Sequence, residues 1–164
     1  MDSQAPNKAV GEWLKSGALF SDIKLLKPES TYGSSRFDFY CEYEDKKAYI
    51  EVKGVTLEND NIVSFPDAPT ERGTRHVGEL IECIKDGFEA YIIFVVQMKD
   101  VLYFTPNEAH DPVFAAALRK AKAEGVKILA VDSIISTLTS SLDTGIPNKH
   151  CGSIVFGTNP LINN

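Results

Sequence analysis

The chain has 164 residues, 43% of them hydrophobic and 24% charged, with a mean hydropathy of -0.13, which is the composition of one ordinary globular domain able to bury roughly 70% of its unfolded surface without a disulfide or metal staple. The apolar run Tyr91 to Val96 falls far short of the ~20 residues of a membrane helix, and Met1 to Pro6 carries neither a basic nor an apolar export region, so the protein is expected in the cytoplasm with no membrane partner. A net charge of -6 and a pI near 5.1 lack the basic footprint of a tight, nonspecific nucleic-acid binder, although carboxylates that hold a cation also make a protein acidic.

In chain order, Asn7 is placed to cap a short helix that runs to about Ser16 and stops at Gly17, with Ala9, Val10, Trp13 and Leu14 on one side and Glu12 at the edge of that stripe. Strands are predicted over Ser35 to Tyr43 and Ala48 to Thr56, joined as a hairpin by the charged turn Glu44-Asp45-Lys46-Lys47. A loop from about Glu58 to Gly73 follows, then a helix with Val77, Leu80, Ile81 and Ile84 inward that ends at Asp86-Gly87. Tyr91 to Gln97 is apolar without alternation, as in a central strand covered on both faces. After Val101 to Phe104, Asp111-Pro112 opens a helix with Phe114, Ala117, Leu118 and Ala121 inward, closed by Gly125, and Val126 to Asp132 forms another buried strand. This α-β-β-α-β-α-β order predicts an α/β fold, a mixed sheet flanked by helices on both faces. The tail from Thr144 is turn-rich. Cys41, Cys83 and Cys151 form no CxxC pair and read as buried or idle thiols, and His150-Cys151 lacks the spacing of a zinc site.

Within the hairpin, a turn centred near Asp45 sets Asp38 opposite Glu51, and Lys53 shares their face because strand side chains alternate. The opposite face is expected to be apolar: Phe37 and Phe39, then Ile50, Val52 and Val55. Two adjacent carboxylates can hold Mg²⁺ or Mn²⁺, and the backbone carbonyl of Val52 can add a further oxygen. Lys53 would then orient or deprotonate a water and offset charge on a phosphate, while the metal polarises the phosphoryl oxygen. A solvated charge pair on an ordinary half-buried strand gives the same pattern. Thr70, Arg72, Arg75 and His76 lie where a loop enters the second helix, a place for a phosphate; pairing of the two arginines with Glu71 and Glu79 is the alternative. Gln97, at the end of the central strand, is placed to orient water or Lys53, or only to end the strand. His110 and Asp111 read as a turn and a helix cap.

The order of a helix with Glu12, a strand with Asp38, Glu51-Val52-Lys53 and a second helix resembles the PD-(D/E)xK, or restriction-endonuclease-like, superfamily. A longer match is more specific. Glu51 to Leu57 (EVKGVTL) and Phe65 to His76 (FPDAPTERGTRH), with Ser35-Arg36-Phe37-Asp38-Phe39, Val96-Gln97, His110-Asp111-Pro112 and Leu118-Arg119, closely resemble the sugar fermentation stimulation protein A (SfsA) family over about residues 2 to 147.

That resemblance implies a nuclease-like domain over 1–147 with a tail over 148–164, in a family that pairs an N-terminal OB-fold with a PD-(D/E)xK domain. It also implies DNA as the partner and a link to the regulation of sugar (maltose) use. Asp38, Glu51 and Lys53 take the catalytic positions, with Glu12, Asp38, Glu51 and Val52 around Mg²⁺ or Mn²⁺ and Thr70, Arg72, Arg75, His76 and Gln97 toward DNA. The OB-fold half is expected to be missing, so DNA binding is expected to be weak and nonspecific; Met98 stands where the family usually has Arg. Two functions follow, metal-dependent phosphodiester hydrolysis or a non-cleaving DNA-binding regulator of sugar genes, with a homodimer allowed in either.

Overall fold

The structure of the protein is a computed structural model that describes residues 4–98, 101, 103–132 and 151–152. In chain order its elements are α1 (Ala5–Lys15), β1 (Ile23–Tyr32), β2 (Ser35–Tyr43), β3 (Lys46–Val55), β4 (Leu57–Asn59), β5 (Ile62–Phe65), α2 (Glu71–Lys85), β6 (Glu89–Val96), β7 (Tyr103–Pro106), α3 (Pro112–Ala123), β8 (Lys127–Asp132) and β9 (Cys151–Gly152). Six strands form a sheet in the order β1-β2-β3-β6-β8-β9, and β4, β5 and β7 form a smaller one. β1, β2 and β3 are antiparallel neighbours, β3, β6 and β8 run parallel, and β9 returns antiparallel beside β8. This is the mixed sheet expected, with the unalternating segment β6 at its centre and buried from Ala90 to Val96. Among the described residues no helix is long and apolar enough to cross a membrane. Residues 133–150 and 153–164, which hold most of the predicted tail and His150, lie outside the described residues.

The two faces of the large sheet carry separate cores. On one, Val10, Trp13 and Leu14 of α1 pack on Phe39, Ile50, Val52, Tyr91, Ile93 and Val95. On the other, Val77, Leu80 and Ile81 of α2 and Phe114, Leu118 and Ala121 of α3 pack on Phe37, Tyr49, Val55, Ile92 and Phe94, with Val63 and Phe104 of the small sheet closing the layer. Both parallel crossovers, through α2 and through α3, therefore lie on one face, as crossovers of one hand moving in one direction do. Cys41 and Cys83 are buried and free.

Four expectations are corrected. α1 begins at Ala5 with Pro6 in its first turn, so Asn7 lies inside the helix rather than capping it. β1 was not predicted, because an edge strand with seven exposed or polar positions among Lys24, Lys27, Pro28 and Glu29 and their neighbours shows no apolar period. The predicted loop Glu58 to Gly73 contains most of the β4–β5 hairpin, turned by Asp60 and Asn61 at φ of 52° and 64°. Such a turn, with both central residues left-handed, is the form that suits a two-residue hairpin. Finally, Phe37 and Val55 belong to the core under α2, whereas Phe39, Ile50 and Val52 belong to the core under α1. Val55 follows from plain alternation, being odd-numbered with Tyr49. Phe37 does not: alternation breaks at Asp38, where β1 offers no Cα partner and the intervening Glu29 has φ 54°.

The starts of α2 and α3 are joined through one side chain. Asp111 Oδ1 accepts from Phe114 N–H at 2.9 Å and caps α3, as the sequence indicates, while Oδ2 accepts from the N–H of Thr70, the cap residue of α2, at 2.8 Å. Asp111 is buried, so its removal strands two amides. Asp111→Ala is expected to lower stability by about 1–3 kcal/mol, and Asp111→Asn, which keeps one acceptor oxygen, by less; urea unfolding of the three proteins measures both.

Candidate functional site

The hairpin places its charges as alternation and turn position predict. The ladder between β2 and β3 runs from Tyr43↔Lys46 to Phe39↔Ile50, so the next opposed positions are Asp38 and Glu51. There the backbone ladder gives way to a side chain. Asp38 Oδ2 accepts from the N–H of Val52 at 2.7 Å, and Oδ1 accepts from Asn7 Nδ2 of α1, also at 2.7 Å. A strand residue sends its N–H and C=O to the same edge. The carbonyl of Val52 therefore looks to the Asp38 side rather than into the β3–β6 ladder.

Glu51 is 4% exposed. Its Oε1 receives two donors, Lys53 Nζ at 2.7 Å and His76 Nδ1 at 2.8 Å. Its Oε2 is buried with no hydrogen-bond partner. His76 arrives from the inward stripe of α2, where Gly73, His76, Val77 and Leu80 are all buried, and its ring meets Phe37 edge-on at 5.9 Å between centroids. Because an ionised carboxylate only accepts, Nδ1 carries the proton in this contact.

The two carboxyls are displaced in opposite directions. Burial, and then the negative charge of Glu51, push Asp38 above its usual range, against the pull of Val52 N–H, Asn7 and Lys53. Burial also works to raise Glu51, but the His76 hydrogen bond and the Lys53 ammonium outweigh it and hold Glu51 below its usual range. Glu51 is thus the standing anion, and Asp38 the group whose charge is disfavoured while no cation faces it.

Asp38, Glu51, Lys53 and the backbone of Val52 come together, with His76 against Glu51; the remaining predicted site residues make no contact with these carboxylates among the described residues. Glu12 is exposed on α1, five residues from Asn7 and so about 140° round the helix axis, and Asn7 makes the contact to Asp38 instead. His76, expected to face DNA, is 3% exposed and faces Glu51. Thr70 caps α2, its hydroxyl accepting from Gly73 N–H at 2.9 Å. Arg72 and Arg75 are exposed, and no ion pair of either is found among the described residues; Glu79, a predicted partner, bonds Ser34 instead. Gln97 is half-buried beside Gly54, where a methyl group would stand 3.6 Å from Gln97 Nε2 and 2.9 Å from Pro6 Cγ. Met98 packs against the core under α2. Asn7 and His76 were the contacts missed. The signal for His76 was its place on the i, i+1, i+4 stripe with Val77 and Leu80; no comparable signal marked Asn7.

A mixed sheet flanked on both faces by helices, with two carboxylates and a lysine gathered where its second and third strands part, defines a domain of the restriction-endonuclease-like fold. Residues 4–138 match the model of the sugar fermentation stimulation protein RE domain. The chain belongs to that family. It is 60% identical over 135 residues to the sugar fermentation stimulation protein homolog of Ruminiclostridium cellulolyticum, a match covering 82% of this chain and 60% of that protein. The homolog of Clostridium beijerinckii is 57% identical with the same coverage. The solved structure of Pyrococcus furiosus SfsA in complex with Ca²⁺ is similar at a TM-score of 0.71 and 30% identity, over 77% of this chain and 56% of that one. The chain therefore spans 60% of the length of the first two curated relatives.

The opposed shifts give a titration with a definite sign. Asp38 binds its proton more tightly in the native than in the unfolded state, so its contribution makes metal-free stability fall as pH rises from the ordinary aspartate range through the raised native value. Urea unfolding in chelator across that range is expected to show the wild type losing stability relative to Asp38→Asn as pH rises. In Lys53→Ala, carboxyl ¹³C titration is expected to move both Asp38 and Glu51 upward.

Proposed function

We propose that this domain binds DNA and hydrolyses phosphodiester bonds with a divalent cation, Mg²⁺ or Mn²⁺, held by Asp38, Glu51 and the carbonyl of Val52. The observation that carries the reading is Glu51 Oε2, a buried carboxylate oxygen with no partner, beside a second carboxylate whose charge the surroundings disfavour. A cation relieves both conditions. The donor set is all oxygen, which suits a hard ion, and Mg²⁺ commonly takes one or two carboxylates and keeps several waters. Support also comes from the relative solved with Ca²⁺, another hard ion. Glu12, being exposed, is left out of the set.

A divalent cation bound there supplies Lewis acidity to a phosphoryl oxygen and lowers the pKa of a bound water. The chain's own groups do the rest. Glu51 stays ionised because His76 and Lys53 share its Oε1. Lys53, anchored at 2.7 Å with its side chain 20% exposed, has donors left over to orient a water and to offset charge on the phosphate. Gln97 lies with Pro6 against Gly54 on the α1 face, opposite the Lys53 side chain, and is left out of this set. Arg72, Arg75 and the Thr70-capped start of α2 face the phosphate backbone. His76 leaves this DNA-facing set. With a net charge of -6, DNA affinity from this domain is low and nonspecific.

One observation favours the second reading, a DNA-binding regulator of sugar genes that does not cleave. Among the described residues no three His, Cys, Asp or Glu side chains assemble as a cation cluster, and both oxygens of Asp38 already accept hydrogen bonds. A nicking assay on supercoiled plasmid separates the two. With Mg²⁺ or Mn²⁺ the wild type is expected to nick, and Glu51→Gln and Lys53→Ala, purified identically, to lose about 10²-fold or more of that rate. Equal nicking by all three proteins would assign the activity to a contaminant. No nicking by any of them, with DNA binding retained, would leave the regulator.

A further inference from the structure

The contact between His76 and Glu51 fixes which carboxylate oxygen is left over. Two donors converge on Oε1 while Oε2, equally buried, has none. Lys53 alone does not impose this, because a lysine ammonium ends a flexible four-carbon chain and its donors rotate. His76 has no such freedom. It is 3% exposed, set in the inward stripe of α2 between Gly73 and Val77, and its ring lies against the edge of Phe37 at 72° between planes. The ring can offer Nδ1 in one direction, and Glu51 lies in that direction.

Resting on the reading given under Proposed function, we propose that His76 is a positioning residue of the metal site, locking Glu51 so that Oε2 is the oxygen presented to the cation. Ligand carboxylates are commonly held by such outer contacts, and losing one costs about 10- to 100-fold in metal affinity. The break in alternation at Asp38 serves the same end, because it turns Phe37 under α2 as a backing for the His76 ring while its neighbour Asp38 meets Val52. A buried histidine that merely satisfied its polar atoms would affect stability without choosing an oxygen for the metal.

The test is Mn²⁺ binding, by calorimetry and by the loss of free-ion electron paramagnetic resonance signal, with thermal unfolding of the metal-free proteins measured alongside. His76→Phe keeps the ring and removes the donor; affinity is expected to fall about 10- to 100-fold. His76→Asn sets an amide N–H near the position of Nδ1–H and is expected to stay within about threefold of wild type, whereas His76→Gln, whose amide reaches further, is expected to resemble His76→Phe. A folded His76→Phe protein that binds Mn²⁺ as tightly as wild type overturns the inference. If His76→Phe does not fold, the Asn and Gln variants decide, and equal affinities in those two overturn it. A wild type that binds Mn²⁺ no better than Glu51→Gln overturns the metal reading itself, and this inference with it.

Discussion

A carboxylate that is 4% exposed and still ionised must be surrounded by donors, because an isolated buried charge would neutralise instead. Glu51 meets that demand through Lys53, two residues along its own strand, and through His76 from a helix packed over the sheet. The second partner couples the site to the fold. His76 reaches Glu51 only if α2 lies in one register on the sheet, and that register is set by the Val77, Leu80 and Ile81 stripe and by the capped start of the helix. The cap is in turn tied to α3 through Asp111. A chain of defined contacts thus leads from the start of α3 to a charged oxygen near the centre of the sheet.

The site also depends on where β2 and β3 part. Up to Phe39↔Ile50 the two strands share an ordinary ladder; beyond it, Asp38 uses its side chain to satisfy the Val52 amide. Parting the backbones frees the strand edge that a carbonyl ligand would need, and the bend divides Phe37 from Phe39 between the two cores. On the other face, α1 closes in over β3 because position 54 is glycine; a methyl group there would stand 2.9 Å from Pro6. Pro6 and Asn7 are neighbours in the first turn of α1, so the approach that Gly54 permits also delivers the amide to Asp38. Each carboxylate is therefore held by a helix from a different face of the sheet.

What the sequence made legible follows the range of the interaction. Asp38, Glu51 and Lys53 were readable together because a tight turn at Glu44-Asp45, with Glu44 at φ 49°, converts sequence distance directly into register. The central strand and the inward faces of α2 and α3 were readable from periodicity alone. Asn7 and His76 were not, because their contacts join elements 31 and 25 residues apart, and helix position over a sheet is set by packing rather than by local pattern. His76 was half-legible, since its place beside Val77 and Leu80 marks it as inward whatever its partner. The β4–β5 hairpin was missed for a different reason: Asp60-Asn61 is a turn pair of the kind that tolerates left-handed backbone, but strands of three and four residues leave too little alternation to notice. Glu12 shows the converse error. Its place in the order of elements matched a pattern, yet five residues along a helix is the wrong interval to share a face with Asn7.

The acidic composition and the proposed partner are reconciled by the distances over which charge acts. At physiological ionic strength the screening length is ~8 Å, so acids spread over the molecule weigh little against cations at the point of contact. Lys53 lies in the site itself, Arg72 and Arg75 are exposed on the first turns of the helix that carries His76, and the carboxylate that could have paired Arg75 along that helix, Glu79, is engaged by the turn between β1 and β2 through Ser34. Diverting one glutamate to a backbone turn leaves the Arg75 guanidinium without that partner along the helix. Burial and the charge of Glu51 disfavour a second negative charge at Asp38, and the same two carboxyls would oppose the approach of an anionic phosphate until a cation enters. The same electrostatics that would bind the metal would make metal binding the condition for phosphate binding, and the order of the two steps would be set by charge rather than by a moving part.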